Sequence, residues 1–136
     1  IAKSFGSIVA HAFEVEKQGA GVKMKQVYSV IDCGFPLNSD NIKAQVESNL
    51  VYGLSATILN QITRTHGKTD QSNFHNYAVL RQGEVPPATV FVMASEEEPG
   101  GVGEPGLPPI APALCNAIFL ATGKRIRTLP FDLSSI

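Results

Sequence analysis

The chain has 136 residues, with eleven basic and twelve acidic side chains and a formal charge of −1; it shows no basic stripe that could displace phosphate counterions, so nucleic acid is not an expected partner. Its 43% apolar content suits one buried core. No apolar run approaches the roughly 20 residues that cross a bilayer, and direct membrane insertion is not expected.

From Ile1 the chain reads at once as strand material, as expected of a segment of a longer protein. Between Ser7 and Val15, the residues Ile8, Ala10, Ala12 or Phe13 and Val15 approximate a period of two. Gly19-Ala20-Gly21 then punctuates before Val22, Met24, Val27, Tyr28, Val30 and Ile31, which predicts a hairpin. Cys33-Gly34-Phe35-Pro36 ends its second strand, because proline offers no N–H and biases its predecessor toward extended geometry.

Asn38, Ser39 or Asp40 can cap a helix in which Ile42, Val46, Leu50, Leu54 and Ile58 recur every fourth residue, predicting a helix from near Asp40 to near Asn60. Gln45, Ser48 and Asn49 lie off that stripe, free to face ligand or solvent. The polar stretch from Thr65 to Asp70 reads as a loop, and Ala88 to Met93 as a short buried strand entered after Pro86-Pro87. From Glu96 to Pro109 glycine, proline and adjacent acids preclude regular structure. Pro109 and Pro112 suit the first turn of a helix that Ala113, Leu114, Ala117, Ile118 and Ala121 continue until Gly123. The basic tail from Lys124 to Phe131 reads as extended. Without a strict βαβ alternation, the expected class is α+β, with mixed or antiparallel strands and two main helices.

Few residues carry obvious chemistry. Cys33 and Cys115 have no Cys-x-x-Cys neighbour and can build neither a thiolate zinc site nor an iron–sulfur cluster; small apolar thiols are expected, with a disulfide left open. His11, His66 and His75 fall at spacings that make no metal site, so no metal ligand is assigned and core or surface roles are expected of all of them. Ser55 lacks a Gly-x-Ser-x-Gly elbow. The run Gly101-Val102-Gly103-Glu104-Pro105-Gly106 stands out, because flanking glycines allow close approach to a bulky ligand while Pro105 fixes the chain direction after the carboxylate. The run is not a phosphate loop. On local composition alone, a surface turn bearing a solvated acid is the favoured reading.

The whole stretch from Gly101 to Phe131, GGVGEPGLPPIAPALCNAIFLATGKRIRTLPF, resembles the C-terminal signature of molybdenum hydroxylase large subunits of the xanthine oxidase family. The resemblance extends to Ile31-Asp32-Cys33-Gly34, Lys43-Ala44-Gln45-Val46-Glu47, Gly53-Leu54-Ser55-Ala56 and Ser72-Asn73-Phe74-His75-Asn76-Tyr77 with Leu80-Arg81. It is similar above all to the isoquinoline 1-oxidoreductase beta subunits and related aldehyde dehydrogenases. One departure is visible at Ser48-Asn49, where many members carry small glycines.

This resemblance implies that residues 1–136 are a C-terminal fragment of a molybdopterin-binding catalytic domain. It implies a hydroxylase of N-heteroaromatic compounds or aldehydes in which Glu104 is the general base, taking a proton from the molybdenum-bound hydroxyl. Gln45 and Gly103 would contact the cofactor, molybdopterin cytosine dinucleotide with molybdenum, and Gln45 otherwise reads as an exposed helix residue. Partners implied are the remainder of the large subunit, a small iron–sulfur subunit carrying 2Fe-2S clusters, and a small-molecule substrate, in either the bacterial cytoplasm or the periplasm. The isolated chain would be inactive. The rival reading is a non-catalytic assembly or docking module.

Overall fold

A computed structural model describes residues 1–136. In chain order the elements are β1 (Ala2–Ser4), β2 (Ser7–Gln18), β3 (Gly21–Asp32), α1 (Ser39–Ile58), β4 (Arg64–Thr65), β5 (Lys68–Thr69), β6 (Ala88–Val92) and α2 (Ile110–Thr122), with a short 3-10 turn at Leu133–Ser135. Strands β1, β2 and β3 form an antiparallel meander, and β6 adds to β3 in parallel, giving a mixed four-stranded sheet in the order β1-β2-β3-β6. The α+β expectation with two main helices matches this architecture.

Both helices cover one face of the sheet. Val9 on β2, Val27 and Ile31 on β3 and the half-buried Val90 and Val92 on β6 point toward them. The opposite face carries Ile8, Tyr28, Val30 and Phe91, all exposed. The expected β2 residues divide between the faces: Phe13 and Val15 pack on the core as expected, whereas Ile8, Ala10 and Ala12 lie on the outer face and Ser7, Val9 and His11 take the inner one. A strand has a period of two, so a one-residue slip in phase moves a side chain to the other side.

Two further expectations change. The first strand segment is not continuous: Phe5 (φ 54°) and Gly6 (φ 80°) make a two-residue hairpin turn between β1 and β2. The polar stretch read as a loop is a small hairpin, β4 with β5, turning at His66 (φ 50°) and Gly67 (φ 80°). Helix α1 is capped by Asn38, whose side chain accepts the Asn41 N–H at 3.0 Å. Helix α2 ends where Gly123 adopts φ 75°. Both cysteines are free, Cys33 buried and Cys115 half-buried.

Helix α1 buries two adjacent rows rather than one. Ile42, Val46, Leu50 and Leu54 form the expected row, while Asn49, Gly53 and Thr57 form a second. Gly53 is the contact point with α2, because a Cβ at this position would overlap Ile110 Cδ1, and Ile110 is fully buried. Ser55 Oγ accepts the Leu80 N–H at 2.9 Å and ties down the segment returning to β6. Replacing Leu54 with Ala should destabilise the chain by about 2–5 kcal/mol through a cavity, and Gly53→Ala by about 1–3 kcal/mol through overpacking. Urea midpoints compared with the parent chain check both; a Gly53→Ala midpoint at or above the parental value would show that α1 and α2 separate freely.

Candidate active site

The segment from Glu97 to Pro109 has no regular structure, so its peptide groups must find partners elsewhere in the fold. Its first half lies along the sheet end. Glu97 O accepts the Phe35 N–H at 2.9 Å, Gly100 N–H donates to Cys33 O at 2.8 Å, and Gly101 N–H donates to Phe5 O at 2.7 Å. The Ser7 hydroxyl donates to Gly101 O at 2.7 Å.

The second half carries Glu104 and is held at two carbonyls. Asn49 Nδ2 donates to Gly103 O at 2.6 Å and also to Gln45 O at 2.5 Å. At the other end, His11 Nε2 lies 2.8 Å from Gly106 O. Between them the Leu107 N–H donates to Glu104 O at 3.0 Å, closing a β-turn with the buried Pro105 at its second position. Gly106 suits a close approach: a Cβ there would stand 3.0 Å from Asn49 Oδ1 and 3.1 Å from Asn49 Cβ, tighter than ordinary contact.

A carbonyl only accepts, so His11 carries its proton on Nε2, and Nδ1 accepts from the Ser29 hydroxyl 2.8 Å away. Ser29 is the cross-strand neighbour of His11 and is fully buried. Burial pushes the His11 pKa below its ordinary 6.5, against the opposing pull of the Gly106 carbonyl. The imidazole is therefore held neutral in one tautomer.

The Glu104 side chain is exposed and forms no ion pair or hydrogen bond within the chain. Gly103 faces open space, with no atom near the position of a Cβ, whereas Gly106 faces Asn49. Gln45 is exposed on α1, and its backbone carbonyl shares the Asn49 amide with Gly103. The expected site residues thus gather around Asn49, the residue expected to be free for ligand or solvent. It is 3% exposed and faces the loop. His11, expected to be a bland histidine, is the loop's other anchor. No group of three or more His, Cys, Asp or Glu side chains converges as metal ligands. Beside the Glu104 turn, a 660 Å³ groove runs between β2 and α2, lined by His11, Phe13, Pro112, Asn116 and Leu120 among others.

Residues 3–86 match the sequence description of the molybdopterin cofactor-binding domain. The chain belongs to this family. Its matched stretch includes His11, Gln45 and Asn49, while the Glu104 turn and α2 follow it. The molybdopterin-domain chain is 34% identical over 109 residues to the isoquinoline 1-oxidoreductase subunit beta of Brevundimonas diminuta, covering 80% of this chain and 14% of that protein. It is 32% identical over 116 residues to the membrane-bound aldehyde dehydrogenase [pyrroloquinoline-quinone] of Gluconacetobacter polyoxogenes, covering 85% of this chain and 15% of that one. Among solved structures, quinoline 2-oxidoreductase from Pseudomonas putida 86 shares the fold with a TM-score of 0.75 at 18% identity, over 88% of this chain and 17% of that one. The chain therefore spans a small part of the length of the proteins it resembles.

The depressed His11 pKa sets a sign for acid behaviour. The folded state takes up its proton at lower pH than the unfolded chain, so this contribution is complete above the ordinary value of 6.5 and is lost as pH falls toward the folded value. Stability should decline on acidification below 6.5, and His11→Gln should be less stable near neutrality yet show a shallower decline. Urea midpoints across that range test it; parallel pH profiles for the two proteins would remove His11 from the acid response.

Proposed function

We propose that residues 1–136 are the C-terminal part of the molybdopterin-binding catalytic domain of a xanthine-oxidase-family hydroxylase, with Glu104 as its general base. The observation that carries this reading is an unpaired carboxylate on a turn whose flanking carbonyls are both held by side chains, the buried Asn49 on one side and the half-buried His11 on the other. A solvated surface acid needs no such support. A base does, since proton transfer demands heavy atoms within hydrogen-bond reach of each other.

The residues present fit a molybdopterin. Gln45 offers an exposed amide that donates and accepts without adding charge, and Gly103 leaves an open face beside it. The cofactor, in its cytosine dinucleotide form with molybdenum, supplies the two-electron oxidation when bound. The Glu104 carboxylate accepts the proton of the attacking hydroxyl as that oxygen bonds to an electrophilic carbon of an aldehyde or N-heteroaromatic substrate. This job calls for shielding from water, which the exposed Glu104 lacks within these residues. The remainder of the large subunit would supply it, and a small iron–sulfur subunit with 2Fe-2S clusters would remove the electrons.

The rival reading is a non-catalytic assembly or docking module, which the exposure of Glu104 within these residues favours. Metal analysis and turnover of the full-length parent separate the two.

In that parent, Glu104→Gln keeps side-chain size but cannot accept the proton. It should retain molybdenum while turnover falls by about 10²–10⁴-fold. Retained metal with parental turnover would sink the base assignment. Gln45→Ala removes one hydrogen-bonding partner, worth about 1–3 kcal/mol, and should lower molybdopterin content. Full occupancy at limiting cofactor would return Gln45 to the role of an exposed helix residue.

A further inference from the structure

We propose that Asn49 is a positioning residue for Glu104: its amide ties the turn bearing the carboxylate to the helical turn bearing Gln45. This rests on the general-base reading of Glu104. The two N–H groups of Asn49 Nδ2 are both used, one on Gly103 O and the other on Gln45 O. Both partners are carbonyls and can only accept, so the amide has a single workable orientation. Its oxygen is consequently turned toward Gly106, where it is buried without a donor.

That orphan oxygen bears on purpose. A side chain serving α1 packing alone would be better apolar, because a buried acceptor without a partner costs free energy that no contact returns. Asn49 does not merely fill space either, since it packs so closely on Gly106 that a Cβ there would crowd its side chain at 3.0–3.2 Å. What the amide provides is a fixed Gly103 carbonyl, one residue before Glu104, while Pro105 restricts the backbone one residue after it. With His11 on Gly106 O, the peptide bearing the carboxylate is constrained from both sides. The Gln45 carbonyl on the same nitrogen makes the helix that would face the cofactor the reference for this constraint.

The test uses the full-length, cofactor-loaded parent as four proteins: parental, Asn49→Ala, Glu104→Gln and the double variant. Metal content, kcat, KM and hydrogen–deuterium exchange of the peptide spanning residues 101–107 are measured on each. Asn49→Ala should keep its metal and KM, exchange faster in that peptide, and lose about 10- to 100-fold in kcat, as a misplaced catalytic group does. In the Glu104→Gln background it should cost nothing further, because the group it positions is already disabled. Multiplied losses in the double variant, or unchanged exchange in Asn49→Ala, would overturn the positioning role while leaving Glu104 as the base. Parental turnover in Glu104→Gln would instead overturn the base and the positioning role together. Asn49→Asp provides a second measurement if the Ala variant does not load: it keeps the shape but sets a carboxylate oxygen against two carbonyls. It should show the same kcat loss and faster exchange, and parental values for both would refute the proposal.

Discussion

The structure depends on finding partners for the peptide groups of a segment that cannot form its own. Between Glu97 and Pro109 the chain has no ladder and no helix, yet Pro105, Gly106 and Pro109 are buried. Buried peptide groups without partners would cost more than the segment's modest apolar contacts return. The partners come from every element that borders it: Phe5 and Ser7 at the first hairpin, Cys33 and Phe35 beyond β3, His11 on β2 and Asn49 on α1. The scaffold's sequence is therefore partly dictated by the loop. Polar residues appear on surfaces that would otherwise be wholly apolar, and glycine appears where the loop presses closest.

This explains which parts could be read from residues alone. The elements with a strong period were legible: the β2–β3 hairpin, α1 with its row of Ile42, Val46, Leu50 and Leu54, and α2 between Pro109 and Gly123. So was the run around Glu104, since glycine and proline announce an irregular segment directly. The loop's anchors were not. On β2 the alternation of Ile8, Ala10 and Ala12 is as good as that of Ser7, Val9 and Phe13, and nothing local chooses between them; the choice is made by Val27 and Ile31 across the hairpin and by the helices above. Selecting the wrong phase puts His11 on the outer face. One signal was available: a histidine and its register partner Ser29 both interrupt otherwise apolar rows, as hydrogen-bonded residues on a buried face do.

Asn49 was missed for a different reason. A single stripe at every fourth residue describes a helix packed on one surface, whereas α1 lies against both the sheet and α2 and buries a second row. Gly53 and Thr57 belong to that row, and both are the small or compact residues that a helix–helix contact favours. Placing Asn49 in register with Gly53 would have revealed it as buried. The Ser48-Asn49 pair stood out in the sequence as a departure from the pattern the family resemblance implies, but its meaning depends on what sits above the helix, which only the fold supplies.

The same arrangement bears on why a reactive carboxylate would sit on a loop at all. A glutamate on α1 or on a central strand would be positioned by regular backbone, but its neighbours would follow the period of that element, and bulky groups would flank it at every third or fourth residue. An irregular turn frees the surroundings: Gly103 leaves open space beside Glu104, and Pro105 turns inward and anchors the turn. The cost is that an irregular turn has many conformations, and catalysis tolerates few of them. Hydrogen bonds from His11 and Asn49 narrow that choice without placing a side chain in the open space. Neither donor adds net charge, because the amide is neutral and burial keeps the imidazole unprotonated. A lysine or arginine could have held the same carbonyls, but would have brought a cation beside the turn. Neutral donors thus hold the turn without setting a charge beside the Glu104 carboxylate.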